Sequence, residues 1–521
     1  MKKILAGAVF LLLLGPGSAS LAVRDAASDL RQALANLPPG LQVSCGDIVY
    51  DQDKDILSLI QFRLVYELTP AARKEKTASP PSSLLLMSAA RIDLFKPNPE
   101  AFTPGPAQVL AQRISISQGS LSWPEGVFPP ELALWPQSAW KNSVFTSYRG
   151  RWGDILARLK EGGARAFLQA ALLLLEARAA EAGYEDYSAE MNGLKVSIGE
   201  SSAEKAGMAS ASRIQARQIT VRAGEAELSI EAMKGEIEAD GLTRSRLLAW
   251  EAEEGAFSEP PALAPYRFNM EFSGIKGVTL PQLTIFTLKS GLILSEYKEE
   301  GAQGRNSAWR YKLDDFQIAP EYMAGLDRDL ARLLQGKPLI LSLDAGLLLS
   351  DRKFSPGHIK ISLPHLADFS FAVQALNPAA GLGLREGEGL PGGNIMEINP
   401  YEKMTALLGE FGSVQVREME AVYQDRGFIN MALESSFFSL AQPETSLTQA
   451  RSRCLEEIDR HLQQADGALL RDLLMNLRGL IQRPGRLALN LKPKNPVELS
   501  RIVDLVLSRP QDFTYKFTLS K

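Results

Sequence analysis

Three histidines and two cysteines are the only imidazole and thiol donors in this 521-residue chain, so imidazole-ligated metal or thiol chemistry would have to come from His358, His365, His461, Cys45 and Cys454. His358 and His365 are seven residues apart with Pro364 between them, and an odd separation sends two side chains to opposite faces of a straight strand. There is no HExxH, no tight His/Cys cluster and no Asp-rich calcium loop, so neither a zinc nor a calcium site is expected. His461 sits among Glu456, Glu457 and Asp459 and reads as part of a solvated charged helix face. The paired carboxylates Asp314-Asp315 and Glu253-Glu254 are sequence neighbours, which a strand points to opposite faces, a poor arrangement for glycoside hydrolysis. No G-x-S-x-G elbow and no phosphate-binding glycine motif occurs, and the glycine-dense stretch from Gly381 to Gly393 reads as a loop. The residues therefore point to no catalytic group, no cofactor and no metal.

Cys45 and Cys454 lie near opposite ends of the chain. In an oxidising compartment they could bridge, and closing so long a loop is worth about 4–5 kcal/mol in the chain-entropy model. Two separate buried thiols fit the sequence equally well. Acidic and basic residues are interspersed and the net charge is −4, so no nucleic-acid surface is expected.

The N-terminus carries an address. Lys2 and Lys3 precede the apolar run Ile4 to Leu14, and Ser20 and Ala22 fit the small positions before a cleavage site. Residues 1–22 read as a Sec-type signal peptide, which places the mature protein in the periplasm or otherwise outside the cytoplasm, soluble after cleavage. No cysteine follows directly, so no lipoprotein anchor is expected, and the apolar run is shorter than the roughly 20 residues that span a bilayer.

The elements beyond the signal are mostly strands. Val23 to Leu37 has helical spacing and stops at Pro38-Pro39-Gly40. Ile60, Phe62, Leu64, Tyr66 and Leu68 then alternate with polar residues, as a half-buried strand requires. Similar signals recur along the chain, from Arg91 to Phe95 through to Phe513 to Leu519. Gln118-Gly119 and Asp425-Arg426-Gly427 read as hairpin turns. Helical patterns cover Arg165 to Ala182, within a helical insertion near 151–182, and Thr445 to Gln482 with a break at Gly467. Three strand–Pro–helix joins, around Pro320, Pro400 and Pro496, form a recurring C-terminal pattern. Proline fits the first helical turn, where its missing N–H is no loss, and Asn399 and Asn495 can cap. The Pro/Gly-rich stretch Gly255 to Pro265 divides the mature chain into halves, 23–258 and 259–521. The expected class is α+β: a β-rich, long, curved antiparallel sheet, a partly open meander, covered by several helices.

A curved sheet of this kind offers an apolar trough, for which Ile60, Phe62, Leu64, Phe268, Phe272, Phe369 and Phe371 are the candidate lining. Gly40-Leu-Gln-Val-Ser-Cys-Gly-Asp-Ile-Val-Tyr-Asp51 with the amphipathic strand after it, and the C-terminal order of strand, helix, Arg483-Pro-Gly-Arg-Leu-Ala-Leu-Asn-Leu-Lys-Pro493 and final helix, carry a resemblance. In these segments the chain resembles the AsmA-like and YdgA-like bacterial envelope proteins. The resemblance implies an elongated β-rich protein concerned with envelope lipids. The cleavable signal departs from the membrane anchor usual in that group, which favours a soluble binding protein over a membrane-bridging conduit. The expected function is non-enzymatic binding or shielding of lipid-like molecules in the envelope. The alternatives are an assembly factor that pairs through bare strand edges, without a ligand, and an exported hydrolase with an unfamiliar site.

Overall fold

The computed structural model describes residues 41–68, 83–102, 104–122, 137–161, 169–170, 172–173, 176–191, 193–207, 210–241, 265–279, 283–299, 305–326, 334, 337–376, 414–434, 446–465 and 467–520. The signal peptide, the helix expected at 23–37, the join around Pro400, the loop 381–393 and nearly all of 255–265 fall outside the described residues. Two compact units emerge, Met1–Phe272 and Ser273–Lys521, with the division inside a strand.

The first unit contains β1 (Leu41–Ser44), β2 (Asp47–Asp51), β3 (Ile56–Leu68), β4 (Ser83–Pro97), β5 (Gln108–Val109), β6 (Ala111–Ser122), β7 (Gln137–Thr146), β8 (Arg149–Gly150), β9 (Ala179–Met191), β10 (Leu194–Ala206), β11 (Ser210–Ala223) and β12 (Ala226–Glu238). Each long strand pairs antiparallel with the next long strand in the chain, from β3 to β12. β5 and β8 form a small separate ladder. Helix α1 (Trp152–Glu161) packs against the core, which is one continuous cluster that includes Leu59, Phe62, Leu64, Met87, Ile92 and Trp152. The indole N–H of Trp152 donates to the Gln108 carbonyl at 3.0 Å, which satisfies the polar edge of a fully buried ring.

β13 (Tyr266–Thr279) carries the division. The second unit continues with β14 (Leu283–Glu299), β15 (Arg305–Ile318), α2 (Pro320–Leu326), β16 (Leu339–Ser350), β17 (Ser355–Leu363), β18 (Ala367–Leu376) and β19 (Gln415–Asp425). It ends with α3 (Phe428–Glu434), α4 (Leu447–Gln464), α5 (Ala468–Gln482), β20 (Arg486–Pro493), β21 (Val497–Glu498), α6 (Ile502–Ser508) and β22 (Phe513–Ser520). Antiparallel pairing again follows chain order from β14 to β20, and β22 pairs with β20.

The α+β expectation, a sheet covered by several helices, is corrected here. The molecule is β-dominant: twenty strands belong to one antiparallel sheet, and helices are few among the described residues. Part of the error lies at Arg165 to Ala182. Its alanines and glutamates favour helix, yet Ala179 onward forms β9, because pairing with β7 on one side and β10 on the other outweighs intrinsic propensity.

Two expected hairpin turns also differ. Gln118-Gly119 does not reverse the chain; β6 runs through it, and Gln118 takes a left-handed backbone with φ 49°. Asp425-Arg426-Gly427 leads into α3 instead of a strand, because the Asp425 carboxylate accepts from the Gly427 N–H at 3.0 Å and the Ile429 N–H at 2.9 Å and caps the helix start.

Gln118 belongs to a larger pattern. Ile60 faces Arg91 and Phe62 faces Ala89, which leaves Gln61 opposite Ala90. Following the registers strand by strand, the same transverse line passes through Gln118, Lys141, Asp186, Gly199, Gln218 and Glu231. Every second residue on it is left-handed: Gln61, Gln118, Asp186 and Gln218 have φ of 51°, 49°, 48° and 55°. The side-chain alternation slips there in step. Buried positions advance by three instead of two, Leu59 to Phe62, Ala89 to Ile92, Ile116 to Gly119, Trp140 to Ser143 and Ala216 to Ile219. The register is unchanged because neighbouring strands slip together. Gly199 makes room for this geometry, since a Cβ there would lie 2.4 Å from the Gln218 side-chain oxygen.

Candidate functional site

Residues directly opposite each other in an antiparallel ladder share a face. In the second unit this rule assembles a broad apolar surface. One row runs Ile293, Tyr311, Ala345, Ile359, Phe371, Ala421, Leu489, Phe517, and beside it a second runs Leu313, Leu343, Ile361, Phe369, Tyr423, Leu487, Leu519. A third row includes Trp309, Leu347, Val373, Met419 and Leu491. The opposite face is polar. There Arg310 donates to both Asp344 oxygens at 3.2 and 3.1 Å, and the His358 ring lies 3.3 Å from the same carboxylate. The Arg310 hydrogen bond is the largest influence holding the Asp344 carboxyl below its ordinary range.

The apolar face is only partly covered. α6 packs Ile502, Leu505 and Val506 around Val373, Met419 and Leu491 at one side. α5 lies beside β22, where the Tyr515 hydroxyl donates to Asp472 at 3.1 Å. Among the described residues the rest of the face is open at Ile293, Tyr311, Ile359 and Phe369, which are 36%, 47%, 40% and 40% exposed, while Leu519, 40% exposed, lies beside Gly479 of α5. All five lie on the same side of the sheet by register, so they form a patch and are not scattered surface hydrophobes.

The expected trough residues divide between the two units. Phe62 and Leu64 are 1% and 0% exposed and belong to the first unit's core, Ile60 is half-buried, and Phe268 and Phe272 are half-buried on β13. Phe369 and Phe371 occupy neighbouring rows of the second unit's apolar face. The sequence reading missed Ile293, Tyr311, Ile359 and Leu519. The alternation Tyr311, Leu313 against Arg310, Lys312 was the available signal, but alternation alone does not say whether a face is covered.

Both cysteines are free, Cys45 in the first unit and Cys454 in the second. Burial pushes the Cys45 thiol up to about 11 and raises Cys454 as well. His365 sits in the turn after β17 with φ 75°, and His461 lies 3.4 Å from Glu457 on α4. Among the described residues no group of three or more His, Cys, Asp or Glu side chains is placed to hold a metal ion, and no helix is long and apolar enough to cross a membrane. No protein-family model matches the chain, and no curated protein matches it.

Proposed function

We propose that this protein is a non-enzymatic, exported envelope protein that binds or shields hydrophobic, lipid-like molecules on the bare apolar face of its second unit. The observation that carries the reading is the co-facial exposure of Ile293, Tyr311, Ile359 and Phe369. Fully burying one such side chain is worth about 1.5–3 kcal/mol, so a hydrocarbon laid over several of them gains substantial free energy. The face is free of charged residues along its rows while the reverse side carries Arg310, Lys312, Asp344 and Lys360, so an apolar occupant meets no buried charge. The signal-like residues 1–22 and the resemblance to AsmA-like and YdgA-like proteins support the same compartment and ligand class.

The test is native mass spectrometry of the chain recovered from an exported fraction, before and after organic extraction, with the I293S/I359S/F369S variant alongside. Co-purified lipid that is lost on extraction and reduced in the variant supports the proposal. A clean apo mass, with no uptake of added phospholipid, overturns it.

A second reading draws on β22. Among the described residues its pairing is with β20, and its exposed positions Thr514, Lys516 and Thr518 are followed by exposed Leu519 and Ser520. An eight-residue edge of this kind can accept a partner strand, as an assembly factor would use it.

A further inference from the structure

The first unit carries a second surface feature that the apolar face does not account for, a cleft of about 730 Å³ walled by β6, β7, β9, β10 and β11. β11 contributes only Thr220 and Arg222 to the wall, and these alternate with Ile219 and Val221, which point to the core side. The cleft therefore opens on the face turned away from the core.

Its floor is a row of hydroxyls. Ser120 faces Ala139, Ala139 faces Ser188, Ser188 faces Ser197 and Ser197 faces Thr220. Ser88 extends the row, its hydroxyl 2.7 Å from that of Ser120. Among the described residues the hydroxyls of Ser197 and Thr220 meet no partner. Alongside runs a row of longer polar groups, Ser122, Gln137, Glu190, Lys195 and Arg222. Its charges are paired: Lys195 with Glu190 of the same wall at 3.3 Å, and Arg222 with Glu227 on the adjoining strand β12, outside the wall.

We propose that this cleft binds a neutral, polyhydroxylated chain, a glycan segment lying across the strands. Hydroxyl and amide side chains both donate and accept, so they match a ligand whose own groups do both. An apolar ligand would leave those groups unpaired, which is costly. An anion would use only the donors and would meet the Glu190 carboxylate. The hydroxyls of Ser188, Ser197 and Thr220 sit on three neighbouring strands, about 4.8 Å apart, a spacing comparable to the advance of one sugar ring along an extended glycan, and Ala139 leaves a gap between them and Ser120.

The full chain is titrated calorimetrically with cellotetraose, maltotetraose and chitotetraose, with inorganic phosphate as the anionic probe. The expected result is binding of at least one oligosaccharide, weakened about tenfold in S197A/T220V through the loss of two neutral hydrogen bonds. S115A, on the same outward side of β6 beyond the slip line, keeps the parent affinity. Circular dichroism confirms that both variants fold. No binding by any of the three sugars, an unchanged affinity in S197A/T220V, or binding of phosphate in preference to the sugars overturns the proposal. The lipid measurement reads the other unit, so the two proposals fail independently.

Discussion

Phe62 and Phe369 are the same residue type on the same kind of strand, with apolar partners across the ladder, yet one is 1% exposed and the other 40%. The first unit places α1 and the segment with Ala170, Leu172 and Leu173 against its apolar face, and the result is a filled core. Among the described residues of the second unit, α5 and α6 cover one side of its face. The difference shows that strand patterning determines which residues share a face, while the connections between strands determine whether that face becomes core or binding surface.

The sharpest way to break this comparison is truncation at equivalent aromatic positions. Phe62→Ala should lose about 3–5 kcal/mol in urea unfolding, the cost of removing a fully buried ring from a packed core. Gly119→Ala should cost about 1–3 kcal/mol, because a new Cβ would lie 2.2 Å from the buried Trp140 ring. Phe369→Ser should fall within about 0.5 kcal/mol of the parent while weakening uptake of added phospholipid. If Phe369→Ser destabilises as much as Phe62→Ala, the second unit's face is core and the contrast fails.

Smaller effects refine the picture on the polar side and at the thiols. Asp344 is held below its ordinary value of 3.8, first by the Arg310 hydrogen bond and further by His358. A depressed carboxylate contributes stability above the unfolded value, and that contribution is lost as pH falls through the folded value. Asp344→Asn should therefore lower the urea midpoint at pH 6, and the gap from the parent should close on acidification below 3.8. Cys45, pushed up to about 11 by burial, should react with iodoacetamide at pH 8 more slowly than free cysteine and recover the free rate on unfolding.

Much of the strand framework was legible because its segments alternate visibly, as at Arg113 to Ser117 or Phe369 to Ala375. The break at Gly467 was also legible, and that residue precedes α5 with φ 109°. Pro320 at the first position of α2 followed the same local logic. What could not be read was long-range. Ala179 to Ala182 have the composition of a helix and form a strand only because two neighbours pair with it. The phase slip concealed the core: strict alternation from Ile60 grouped it with Phe62, whereas the buried pattern runs Leu57, Leu59, Phe62, Leu64. The apolar face was half legible, since Phe369 and Phe371 lie on it. The cleft of serines and threonines was not, because isolated hydroxyls on different strands form a row only once the registers are known.

The transverse line of left-handed residues also bears on how so many long, similar strands find the correct alignment. In an ordinary sheet, a shift of one strand by two residues keeps every side chain on its proper face, so such errors are weakly opposed. Here a two-residue shift would carry Gln61, Gln118, Asp186 or Gln218 away from its mark and set a segment of one phase against a neighbour of the other. Apolar residues would then face solvent over the misaligned stretch. The line acts as a vernier scale, legible from strand to strand, and a single inserted or deleted residue in one strand should be felt across the whole row.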